Sequence, residues 1–183
     1  MLDLAAQLGL PEMSFVAPPA ALGTWYPESF LAPRDRNEPS LGWALERIEG
    51  VMRDLEERGV GRERIALVGF SQGACLATEY VFRRPTRWGG LAALTGGLIG
   101  PPETTWETAG NLAGTPALFT TSDADEWVPL GRVKETAEVF RSMGGEVDLR
   151  IYPGRSHGVS PEEVDATRNL LARLLGNESP DEP

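Results

Sequence analysis

A chain of 183 residues is long enough to bury one core and too short for two comfortable domains. Its 41% hydrophobic and 24% charged residues are ordinary for a globular protein. The formal charge of −10 argues against nucleic acid, anionic membrane surfaces and strongly anionic substrates.

A single cysteine, Cys75, excludes an internal disulfide and fits a reducing, cytoplasmic compartment. Its neighbours Ala74, Leu76 and Ala77 mark it as a small buried hydrophobe. One histidine and one cysteine cannot build a His/Cys metal site, so any histidine-dependent chemistry must use His157. Asp3 and the lack of a basic n-region argue against a secretory signal, and no run of about 18 apolar residues predicts a membrane span.

In chain order, Leu2, Leu4, Ala5 and Leu8 lie at helical spacing and Gly9 ends that helix. A helix starting at Met1 with no cap looks cut rather than begun. Residues 13 to 17 read as a short buried strand, ended by Pro18-Pro19. Residues 18 to 39 form a long loop rich in proline and aromatics, among them Trp25, Tyr26 and Phe30. Loops of this length inside a compact domain are usually functional or disordered. The aromatics suit a packed wall beside a pocket, or plain core coverage. Ser40 is a good N-cap for a helix whose apolar stripe is Leu41, Leu45, Ile48, Met52 and Leu55, stopping at Gly59.

Next comes an apolar run, Ile65-Ala66-Leu67-Val68, leading into Gly69-Phe70-Ser71-Gln72-Gly73 and then a helix-forming stretch that Pro85 ends. A Gly-x-Ser-x-Gly pentad between a strand and a helix predicts a sharp, strained turn with Ser71 at its apex. The same turn aims the first helical N–H groups, beginning at Gln72, toward developing negative charge. Further strands are read at residues 91 to 94, 116 to 121 and 147 to 151. Residues 99 to 114, with Trp106, form an irregular loop. Val133, Ala137 and Phe140 face the core from another helix. Ser160-Pro161-Glu162-Glu163 is a capping box with proline at the first helical position, opening a helix that runs to Gly176. Residues 1 to 176 read as one domain and 177 to 183 as a mobile tail.

Strands alternating with helices imply an α/β fold: a mostly parallel central sheet with helices on both faces. Ligands bind such sheets at the carboxyl ends of the strands. Three strand exits there carry Ser71, the acidic cluster Asp123, Asp125 and Glu126, and His157. Their order, Ser…Asp…His, is the chain order of α/β-hydrolases. A serine hydroxyl is a poor nucleophile until a base takes its proton. Neutral imidazole suits that task, and a carboxylate on its other nitrogen fixes the tautomer. Ser71 is therefore the expected nucleophile, His157 the general base and then acid, and the fall of activity in acid should follow an imidazole value of roughly 6–7. For the orienting carboxylate, Asp123, Asp125 and Glu126 compete, with Asp125 favoured. Asp123 could instead bond turn amides, and Glu126 could be solvated.

The motifs Gly69-Phe70-Ser71-Gln72-Gly73-Ala74, Asp125-Glu126-Trp127-Val128-Pro129 and Pro153-Gly154-Arg155-Ser156-His157 resemble the phospholipase/carboxylesterase family of α/β-hydrolases. This family includes acyl-protein thioesterases and lysophospholipases. The resemblance spans residues 2 to 175. Its D-x-x-[VI]-P motif selects Asp125 over Asp123. Trp25-Tyr26-Pro27 with Phe30-Leu31-Ala32-Pro33 resembles a bacterial branch whose loop lines the acyl site. The resemblance implies substrate contacts at Trp25, Tyr26, Phe70 and Trp127, and hydrolysis of short- to medium-chain carboxylic esters or thioesters without a cofactor.

The family pattern also includes two or three earlier strands and a His-Gly-rich loop giving a second oxyanion N–H, neither of which is found in this sequence. The resemblance therefore implies an N-terminally truncated sheet with a gap between residues 13–17 and 65–69. The two strands would close up directly, a homodimer partner would cover the gap, or the assigned start would be too late. It also leaves Gln72 as the one expected oxyanion donor, which makes an impaired or non-catalytic binding protein the alternative reading.

Overall fold

The structure is a computed structural model that describes residues 2–107 and 110–176. The stretch 177–183, expected to be mobile, lies outside the described residues. Among the described residues, four strands form one all-parallel sheet: β1 (Ala66–Phe70), β2 (Gly90–Leu94), β3 (Pro116–Thr121) and β4 (Glu146–Ile151), in spatial order β1-β2-β3-β4. Five α-helices among the described residues accompany them: α1 (Leu2–Leu8), α2 (Ser40–Glu57), α3 (Gln72–Arg83), α4 (Leu130–Ser142) and α5 (Pro161–Leu174).

Period-two alternation along the strands divides the apolar side chains between two layers. Leu67, Leu91, Ala93, Ala117 and Phe119 meet Leu45, Ile48 and Met52 of α2, Leu76 and Tyr80 of α3, and Val133, Ala137 and Phe140 of α4. On the other face, Ala92, Leu94 and Leu118 meet Leu4 and Leu8 of α1 and Val164, Leu170 and Leu171 of α5. The central strands β2 and β3 are almost wholly buried, as continuous apolar runs in a doubly covered parallel sheet should be. At the free edge, β4 alternates in exposure and carries Asp148 and Arg150, charges that discourage another strand from adding there.

Two expectations need correction. Residues 13 to 17 form no strand; they run irregular and largely exposed, because no ladder partner lies beside them. They do not close up on β1. A cavity of about 470 Å³ separates the two, with Ser14, Phe15 and Val16 on one wall and Ile65 to Gly69 on the other. Ser40 is not the cap of α2 but its first residue; Pro39 precedes it, and the Glu38 carboxylate accepts from the Gly42 N–H at 3.0 Å. A longer acidic side chain thus meets one of the four N-terminal donors that a helix leaves unpaired. The capping box at Ser160 forms as read, Ser160 Oγ accepting from Glu163 N and Glu163 accepting from Ser160 N.

Candidate active site

Parallel strands of one sheet end on the same side, so the exits of β1, β3 and β4 present their loops together. At the end of β1 the backbone turns abruptly into α3 through Ser71, whose φ of 53° and ψ of −120° lie where L-residues rarely sit. The Ser71 N–H donates to Leu94 O at the end of β2, 3.0 Å away, and Ser71 O accepts from Cys75 N to begin the helix. The hydroxyl is thus held between a strand end and a helix N-terminus.

The loop after β4 brings His157 to it. His157 Nε2 lies 2.9 Å from Ser71 Oγ, and Nδ1 lies 2.8 Å from Asp125 Oδ2. Asp125 ionised only accepts, so the proton belongs on Nδ1, leaving Nε2 free to accept from the serine hydroxyl. The other oxygen of Asp125 accepts from the N–H groups of Trp127 and Val128 at 2.9 and 2.8 Å. Burial pushes the Asp125 carboxyl upward. The Val128 N–H, the His157 ring and the Trp127 N–H outweigh it and hold the group below its ordinary range. The competing acids do other things. Asp123 accepts from Gly154 N at 2.8 Å and ties the β3 exit to the β4 exit, while Glu126 makes a long contact with His157 N at 3.4 Å.

The four residues expected to touch substrate divide by location. Phe70 packs against the imidazole, ring centroids 5.0 Å apart, and so backs the histidine. Trp25 is half-buried and borders the cavity beside β1 together with Gly69 and Gly73. Tyr26 is a core residue, 2% exposed, and supports the loop without surfacing on it. Trp127 is 70% exposed and stands in solvent next to Asp125.

Sequence reasoning missed what the Gln72 side chain does. Its Oε1 accepts from Trp25 N and its Nε2 donates to Tyr26 O, both at 2.8 Å, with Thr24 Oγ1 within reach of each end. The residue that follows the serine therefore pins the aromatic loop to the turn. An amide at that position was the available signal, since it holds a donor and an acceptor side by side and so matches a backbone N–H and C=O together. Among the described residues no group of three His, Cys, Asp or Glu could hold a metal ion, and no helix is long and apolar enough to cross a membrane.

A parallel sheet covered on both faces, with a serine at a strained strand-to-helix turn and its partners on later strand exits, has the layout of an α/β-hydrolase. The Phospholipase/Carboxylesterase family model matches residues 12–175, and the chain belongs to that family. It is 38% identical to a phospholipase/carboxylesterase structure from Dyadobacter fermentans, with a TM-score of 0.89 over 93% of this chain and 81% of that one. It is 31% identical over 157 residues to acyl-protein thioesterase 1 homolog 1 of Dictyostelium discoideum, covering 83% of this chain and 68% of that one. With acyl-protein thioesterase 1 of Gibberella zeae it shares 29% identity over 145 residues, 76% of this chain and 61% of the other. The chain thus spans about 60% of the length of several curated relatives it matches.

Proposed function

We propose that this protein hydrolyses carboxylic esters or thioesters of short to medium acyl chains through an acyl-enzyme on Ser71. The observation that carries the reading is the single imidazole spanning Ser71 Oγ and Asp125 Oδ2 at 2.9 and 2.8 Å. In this scheme His157 Nε2 takes the hydroxyl proton as Oγ attacks the acyl carbon. Asp125 holds the tautomer and stabilises the imidazolium. The Gln72 N–H, at the start of α3, donates to the oxyanion of the tetrahedral intermediate. The imidazolium then gives its proton to the departing alcohol or thiol, and water repeats the sequence on the acyl-enzyme. The membership of a carboxylesterase family and the thioesterase relatives support this chemistry.

Short p-nitrophenyl esters and acyl thioesters, offered to the protein and to Ser71→Ala, test it. Hydrolysis that Ser71→Ala abolishes, with a fluorophosphonate adduct mapped to Ser71, is the expected result. Hydrolysis unaffected by Ser71→Ala would remove the proposal. No adduct and no turnover would leave a binding protein in its place.

A further inference from the structure

We infer that Arg155 is a positioning residue for His157, holding the histidine loop in register with the strand end that anchors Ser71. The inference rests on the reading of Ser71 and His157 as nucleophile and base. Arg155 NH1 donates to Ser156 O at 2.7 Å and to Gly158 O at 2.6 Å, the carbonyls on either side of His157. The same guanidinium's NH2 donates to Thr95 Oγ1 at 2.7 Å. Thr95 immediately follows Leu94, whose carbonyl accepts the Ser71 N–H, and it sits at φ 54°, strained for a β-branched residue. Arg155 Nε faces Glu163 Oε2 at 3.3 Å as an ion pair without hydrogen-bond alignment. Glu163 is fully buried and also accepts from Thr120 Oγ1 of β3 and from Ser160 N.

One planar fork therefore fastens three things: the backbone on both sides of the imidazole, the exit of β2, and a buried carboxylate bonded to β3. It touches neither ring nor hydroxyl. Its effect is to fix how far Nε2 stands from Oγ. Lysine cannot substitute, because an ammonium supplies the charge but not donors spread across a rigid plane. A purely structural role, neutralising Glu163, predicts that charge alone suffices. The two roles separate there.

The experiment compares Arg155→Lys and Arg155→Ala with the unaltered protein, and with Arg141→Ala as a control in an exposed pair with Glu138. Thermal melting is read alongside kcat, KM and the rate of fluorophosphonate labelling. The expected result for Arg155→Lys is a folded protein whose kcat and labelling rate fall by about 10²-fold while KM changes little. Arg155→Ala, where it folds, shows the same loss. His157 is the only histidine, so its ring resonances are identifiable in a protein spectrum, and they are expected to move in Arg155→Lys. A folded Arg155→Lys with unaltered kcat, or with unmoved ring resonances, overturns the inference. Failure of the underlying enzyme reading looks different: hydrolysis then survives Ser71→Ala, and the ring resonances still decide whether Arg155 positions His157.

Discussion

A Cβ built on Gly69 would lie 2.3 Å from the carbonyl oxygen of Gly73. No real side chain tolerates that approach to backbone, so the turn closes only because Gly69 has none. The same atom on Gly73 meets nothing within 4 Å. The two glycines of the pentad are therefore not equivalent. Gly69→Ala is expected to cost about 3 kcal/mol or to shift the turn enough to lose labelling at Ser71. Gly73→Ala is expected to fold at least as well, gaining about 0.5–1 kcal/mol from the restricted unfolded chain. Urea denaturation of both variants checks the contrast.

Ser71 itself stores strain, with φ 53° and ψ −120°. Alanine inherits that backbone penalty and glycine escapes it, although both remove the hydroxyl. Ser71→Gly is expected to be more stable than Ser71→Ala by about 1 kcal/mol, despite glycine's usual entropic disadvantage. Equal melting temperatures for the two variants would show that the turn is unstrained.

Gln72 offers a test that leaves the proposed oxyanion donor in place. Replacing its side chain with alanine keeps the backbone N–H but strips the partner from Trp25 N and one of two donors from Tyr26 O, which Thr24 Oγ1 still serves at 2.8 Å. Leaving the partly buried Trp25 N–H unpaired is expected to cost about 1–3 kcal/mol. The loosened segment 24–26 should become a site of early proteolytic cleavage. If this loop borders the acyl group, KM rises more than kcat falls.

Much of this arrangement was legible in the residues because it depends on local rules. The pentad between an apolar run and a helix specifies the turn at Ser71, and Ser160 to Glu163 specifies its own cap. The strand at 91–94 is a continuous apolar run and that at 116–121 is apolar up to two threonines, each opened by glycine or proline, as burial on both faces demands. Residues 13–17 carry a similar apolar pattern, yet a strand exists only with a neighbour, and pairing is invisible in a local window. The assignments of Asp123, Gln72 and Arg155 were hidden for the same reason. Each acts through a contact with a segment 31 to 60 residues away, and nothing in the spacing announces which amide or carbonyl it will meet.

Cys75 lies on α3 close behind the serine turn, and it is fully buried. Burial pushes its thiol up to about 11, only partly opposed by the Gly97 backbone and the Tyr26 hydroxyl. Thiolate is the reactive species, so both access and ionisation protect this residue. Iodoacetamide at mildly alkaline pH is expected to leave the folded protein unmodified and fully able to react with fluorophosphonate. One alkylation per chain should appear only after denaturation. Alkylation of the native protein would place Cys75 at the surface.

Asp125 yields a prediction in both activity and stability. Asp125→Asn preserves shape but can donate to Nδ1, favouring the tautomer that blocks Nε2 from accepting the Ser71 proton. A loss on the order of 10⁴ in kcat is expected. The stability argument follows from the direction of its proton affinity. The folded carboxyl is held below its ordinary 3.8, so the unfolded chain binds that proton more readily. Its contribution is complete above pH 3.8 and drains away as the pH falls through the lower, folded value. Relative to the unaltered protein, Asp125→Asn should therefore melt earlier near neutrality, and the difference should shrink in strong acid. Because Asp125 stays ionised over the range in which an imidazole gains its proton, the acid limb of kcat/KM should show uptake of one proton, not two. A two-proton limb, or a melting difference that widens in acid, would mean that Asp125 is not the buried anion paired with His157.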